Sequence, residues 1–487
     1  MRSSFANSSQ MRPLRAGSAI SWATRTQPPR RRPGRHAVLL LATLPILDPI
    51  LNQIHTAYPL AIGSLSLLQA ARGAVLLAAV WVAATLAGRG GRIRRTVGRL
   101  TIAIGICVAV LAMNDILSRG LEINNLIAYV QIAYWLTIWY VAIVSVTDVW
   151  SARTVAKGLV AGALITAASV YFGYATGVET LYSRAGVEAS SGWFVSPKGI
   201  AGSLVAGAFI VAYLGYRRHP WGSVLIALFC LGGSFLTYAR AGMVAMSVAL
   251  AWLALWSLGT RYSVRSSWAV RLVLVSLCGA AIVAATLGTA GLMTRWADLD
   301  DPDKAGSGRL LLWGTAIRGF LGGSVDEQLF GRGFQGMLDM VYQSLGVAVH
   351  THNDVLDMLV IGGVLGLIVL GLAFAGIVVQ IRAARSASPE FAVAVAILLV
   401  LGCQAFFTGQ LFLPDIMTFY LLGITAVLAC APHPARAAFD GAAYSEEFGG
   451  PRIWKGASGS LADLPAAQRA WAWHAAGNWT ASRRPEQ

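Results

Sequence analysis

The chain has 487 residues, 56% of them hydrophobic and 12% charged, with a formal net charge of +16. A soluble domain carries about 25% charged residues, so this composition excludes an ordinary soluble fold, and apolar runs of membrane-span length recur along the chain. The positive charge lies in an arginine-rich arm and in short turns, with no accompanying binding module, so nucleic acid is not an expected partner.

Residues 1–36 carry eight arginines and no acid, which reads as a cytosolic basic arm. It is not read as a cleavable signal, because the leader is long and the first apolar run contains Pro45, Asp48 and Pro49. From there about twelve transmembrane helices are expected, near 37–56, 64–88, 100–118, 126–148, 158–177, 199–216, 221–238, 241–258, 271–293, 353–379, 391–412 and 414–431. With the arm inside, the cytosolic turns receive Arg89 to Arg99, Arg153, Lys157, Arg217, Arg218, Arg261, Arg265, Arg382 and Arg385, as the positive-inside rule requires. The expected fold is therefore an all-α polytopic membrane protein with a membrane domain over 37–431 and both termini cytosolic. Cys107, Cys230, Cys278, Cys403 and Cys430 lie within apolar runs without ligand-like spacing and read as small core residues. The tail, 432–487, has no apolar run and reads as disordered or loosely folded.

Between the fifth and sixth spans, "YSRAGVEASSGWFVSPKG" (182–199) places Arg184 and Lys198 on the external side, where they serve substrate binding or solvate a turn. "TYARAG" (237–242) follows at a tight external turn, and Arg240 is the only charged residue between Arg218 and Arg261. Ionisable groups held at membrane depth are costly and tend to mark functional sites; a boundary arginine at the interface is the plainer reading.

One large external loop, 294–352, separates the ninth and tenth spans, and long structured loops are usually functional. Inside it, "GRLLLWGTAIRGFL" (308–321) spaces Leu310, Trp313, Ile317 and Phe320 as an amphipathic helix on the membrane surface would. Ser307 and Gly308 suit its start, placing Arg309 in the first turn. A cation there opposes the helix dipole unless an anion binds between the guanidinium and the free amide groups; snorkelling to lipid headgroups is the alternative.

The loop ends in "HTHND" (350–354). Asn353 is placed to cap the tenth span, and His352 stands just above it, as a side chain able to titrate near neutral pH. Asp354 and Asp357 share a helix face and are expected to pair with loop arginines. Gly362 and Gly366 have the small-xxx-small spacing of close helix packing. A metal site at His350, His352 and Asp354 is an alternative, disfavoured because no further His or Cys cluster lies outside the membrane. External arginines can stabilise a pyrophosphate leaving group, and a histidine can take the proton of an attacking hydroxyl.

The order "TYARAG", "GSGRLLLWGTAI", "LFGRGFQGM", "HNDVLDMLVIGGVLGL" resembles the O-antigen ligase/polymerase family of bacterial membrane glycosyltransferases, over roughly 180–379. The resemblance implies a donor glycan on undecaprenyl pyrophosphate, an acceptor glycan or lipid-linked glycan, and no cofactor or metal. It further implies pyrophosphate-binding roles for Arg240 and Arg309, the essential-histidine role for His352, and an active site on the external face of the inner membrane. A flippase and a chain-length regulator are the implied protein partners. The chain departs from the family in Ala239, where serine is frequent, and in the added cations Lys198 and Arg332. With Arg184 these form either a second anion site or contacts to lipid headgroups; the former tilts the expectation slightly toward a polymerase, holding two lipid-linked chains, over a ligase. The rival class is a transporter or flippase, which would place its polar groups nearer the bilayer midplane.

Overall fold

The computed structural model describes residues 34–57, 61–62, 65–86, 92–120, 122–177, 180–184, 187–190, 192, 197–215, 219–259, 269–274, 276–277, 308–382, 384 and 388–430. Among the described residues, eight helices are long and apolar enough to cross a membrane, and three shorter apolar ones, Gly199–Gly215, Pro220–Leu236 and Pro414–Ala429, accompany them. In order these are α1 (Arg35–Ala57), α2 (Leu67–Leu86), α3 (Arg92–Arg119), α4 (Ile123–Ser145), α5 (Val149–Thr176), α6 (Pro197–Gly215), α7 (Pro220–Leu236) and α8 (Arg240–Gly259). Three further helices, α9 (Arg309–Leu321), α10 (Val325–Phe330) and α11 (Gly333–Leu345), precede α12 (Asp354–Arg382), α13 (Pro389–Phe407) and α14 (Pro414–Ala429). The chain is thus an all-α polytopic membrane protein. A helix lies over each of eleven expected spans; most of the ninth, 271–293, lies outside the described residues, as do 1–33, 294–307 and 431–487. Two short antiparallel hairpins, β1 (Ala61–Ile62) with β2 (Leu65–Ser66) and β3 (Thr180–Arg184) with β4 (Val187–Ser190), interrupt the helical pattern.

Helices α3 and α5 run 28 residues each, beginning before the expected spans and carrying Arg99, Arg153 and Lys157 in their early turns. The start of α5 is fixed by a capping box, in which Asp148 accepts from the Ser151 backbone and the Ser151 hydroxyl oxygen accepts from Asp148 N–H. Small residues let it approach α1 closely: a Cβ at Gly158 or Gly162 would run into the Ala42 or Pro45 carbonyl. Without a hydrophobic drive between helices in lipid, such van der Waals contact is what holds them together. Trp135, Trp139, Phe209 and Tyr420 are fully buried at the centre of the bundle.

The tenth span departs from expectation. Helix α12 is broken at Gly363 (φ 60, ψ −149), into a top segment, 354–362, and a segment 364–382 that at about 1.5 Å per residue is roughly 28 Å long. That lower segment alone matches the ~30 Å hydrocarbon core. The Gly362/Gly366 pair therefore does not form one packing stripe. Gly362 meets Leu111 of α3, whereas Gly366 faces the Met358 carbonyl of its own helix's top segment, brought back by the bend. The top segment instead joins α9 and α11 in a second, smaller core of Leu312, Ala316, Met337, Met340, Val341, Val360 and Ile361.

Candidate active site

The polar residues of "HTHND" sit on a buried scaffold. Asn353 Oδ1 accepts from the Val355 and Leu356 N–H groups (3.0 and 3.2 Å), capping α12 as expected. Asp354 Oδ1 accepts from the N–H groups of Gln410 and Leu411 (2.9 and 3.0 Å), in the turn joining α13 to α14. Asp357 Oδ1 accepts from Thr351 N–H (2.8 Å) and Thr351 O–H (2.7 Å), and its Oδ2 lies 3.1 Å from His350 Nδ1. Among the described residues the two aspartates are thus held by backbone, Thr351 and His350 rather than by the expected loop arginines. Both are buried, at 2% and 0% exposure, and a buried carboxylate needs hydrogen-bond donors close by; the local backbone and His350 supply them. The rings of His350 and His352 meet edge to face with centroids 4.2 Å apart.

Arg309 is the first residue of α9, after Gly308 in the left-handed region (φ 75). One turn on, Trp313 Nε1–H donates to the Thr351 carbonyl (3.2 Å), and its ring packs against Phe406 at the end of α13. The arginine's helix is thereby tied to the residue next to His352. The helix buries Leu312, Thr315 and Ala316, while Leu310, Leu311, Ile317 and Leu321 face outward. The expected stripe is thus split: Trp313 packs inward, and Leu310 and Ile317 form the outer apolar face.

Arg240 opens α8 at the same end of the bundle. Gly242 packs on Ala201 of α6, and Gly199 at the start of α6 faces Leu413 and the Gln410 side chain. Gln410 N–H is bound by Asp354. A continuous chain of contacts thus links the Arg240 turn, the α6 start, the 408–413 turn, the histidines and the Arg309 helix. Arg240, Arg309, His350 and His352 are all half-buried. Tyr238 (φ 47) and His352 (φ 58) are the only non-glycine residues at positive φ among the described residues. Such conformations cost about 1–3 kcal/mol each and cluster at functional sites; here one adjoins the Arg240 turn and the other is the histidine itself.

The remaining sequence candidates are placed differently. Arg332 has its NH2 nitrogen 3.0 Å from Glu327 Oε2, and it also donates to the Gly319 carbonyl (3.3 Å). Its guanidinium clamps α9, α10 and α11 together. Arg184 ends β3 and Lys198 is the second residue of α6; their side chains lie outside the described residues. Among the described residues no His, Cys, Asp or Glu group of three or more is arranged to hold a metal ion. The residues missed from sequence are the buried partners Thr351, Gln410 and Leu411, and the Trp313 tether.

Fold and site together define an integral membrane protein that gathers arginines, histidines and buried carboxylates at one end of an apolar bundle. Residues 223–371 match the family model described as O-antigen ligase. All four motif segments quoted above fall inside that match, which supports an O-antigen ligase/polymerase family. No curated protein matches the chain.

Proposed function

We propose that the protein transfers a glycan from undecaprenyl pyrophosphate to a sugar hydroxyl on the external face of the bacterial inner membrane. The acceptor oxygen forms a bond to C1 of the donor sugar as the C1–O bond to pyrophosphate breaks, which inverts C1. The hydroxyl proton passes to His352, and the pyrophosphate leaves with the bonding electron pair. Arg240 and Arg309 hold that pyrophosphate and neutralise the charge it gains, as fixed charge-assisted donors do best in a water-poor site. The observation that carries this reading is the Trp313–Thr351 hydrogen bond, because it couples the helix of the anion-binding arginine to the backbone of the proton acceptor.

The leaning toward polymerisation is weaker than the sequence suggests, since Arg332 is held by Glu327 and a second anion site would rest on Arg184 and Lys198. The test is purified protein in lipid nanodiscs, given synthetic undecaprenyl-pyrophosphate-linked repeat units alone and then with a separate lipid acceptor. Elongated lipid-linked glycan marks a polymerase, and product only with the second acceptor marks a ligase. An intact donor under both conditions, combined with its movement across a sealed vesicle, would replace the enzyme by a flippase.

A further inference from the structure

The transfer step above uses His352 but leaves His350 and Asp357 without a task. Asp357 is fully buried, with Oδ1 taken up by the Thr351 N–H and O–H groups. Its Oδ2 faces His350 Nδ1 at 3.1 Å, and that same nitrogen stands 3.3 Å from His352 N–H. One ring nitrogen cannot donate to the carboxylate and accept from the amide at once. The carboxylate contact is shorter and charge-assisted, so it places the proton on Nδ1 and fixes both tautomer and ring orientation. The His350 ring so held stands edge to face against His352, their planes 72° apart. His352 is also fixed through its backbone, between Thr351 and Asn353, which are buried at 0% and 2% exposure.

We infer that Asp357, acting through His350, is the positioning device for the His352 imidazole. It rests on the proposed role of His352 as proton acceptor, and it gives His350 and Asp357 the status of positioning residues. A carboxylate that orients one histidine, whose ring in turn orients the next, costs nothing at the moment of reaction because Thr351 and Asn353 already hold the segment. Precise placement matters for proton transfer, where general-base catalysis contributes about 10²–10⁴-fold.

Two substitutions separate positioning from packing. Asp357→Asn keeps volume and the Thr351 bonds through its amide oxygen, but presents an N–H to His350 Nδ1 and so demands the opposite tautomer. His350→Asn keeps a donor for Asp357 near the Nδ1 position and removes the ring that meets His352. Kinetics on purified variants, with the lipid-linked donor varied, should show kcat lower by about 10²-fold for each. The donor KM and the thermal midpoint of the purified protein should stay close to wild type. Wild-type kcat in both variants would overturn the inference, as would a loss of kcat that merely tracks a lowered thermal midpoint. His352→Ala is run beside them. If it is inactive while the other two turn over normally, only the positioning role fails; if it retains full activity, the underlying assignment of His352 fails first.

Discussion

Gly363→Ala should cripple the protein, whereas Gly371→Ala, further along the same helix, should be tolerated. Gly363 sits at φ 60 and ψ −149, a region that only glycine adopts freely and that costs other residues about 1–3 kcal/mol. An added Cβ would also lie 2.5 Å from both the Gln328 carbonyl oxygen and the Leu329 carbonyl carbon, and 2.6 Å from Leu329 O. Carbon contacts are comfortable only at about 3.5–4.0 Å. The crowding atoms are backbone at the end of α10, so no rotamer change relieves them, and overpacking of this kind adds about 1–3 kcal/mol. The combined cost is roughly 4 kcal/mol, enough to straighten α12 or displace α10. Either outcome moves the top segment that bears the buried aspartates. At Gly371 a Cβ would meet nothing within 4 Å. Recovery of monodisperse protein after heating, together with the transfer rate, reads both effects. A Gly363→Ala protein with wild-type thermal midpoint and rate would refute the reasoning that the break is a fixed structural element.

Arg240→Ala and Arg309→Ala should each lose transfer by about 2–4 kcal/mol of transition-state stabilisation, measured as initial rate per folded protein, and lysine should restore only part because it lacks the bidentate fork. Arg332→Ala should behave oppositely: it removes the Glu327 and Gly319 contacts and lowers the thermal midpoint, with little change in rate per folded molecule. In a cysteine-free background, a single cysteine at Gly346 should react with an impermeant reagent in intact spheroplasts, and one at Arg99 only after permeabilisation; the reverse pattern would invert the topology.

The spans were legible because bilayer thickness fixes the length of an apolar run that crosses it. The break at Gly363 was not. Leu359 to Phe374 contains no polar side chain, and Gly362 reads with Gly366 as a packing pair; only the α10 backbone packed against Gly363 shows that the chain bends there. The motif residues Arg240, Arg309 and His352 stood out as costly groups beside apolar spans. Their supports did not, because spacing puts Asp354 and Asp357 on one helix face without saying what that face meets. The Asp354 partners, Gln410 and Leu411, come from a different helix pair. Arg332 reads from sequence as an added external cation for an anion site, yet Glu327 lies only a glycine turn away and pairs with it.

Single-turnover transfer by His352→Ala, at donor concentrations that saturate binding, tests the proton-acceptor role most directly. The variant should bind lipid-linked donor with wild-type affinity, since Arg240 and Arg309 remain, while the rate of C1–O cleavage falls by at least about 10²-fold. Cleavage at the wild-type rate with donor fully bound would contradict the assignment.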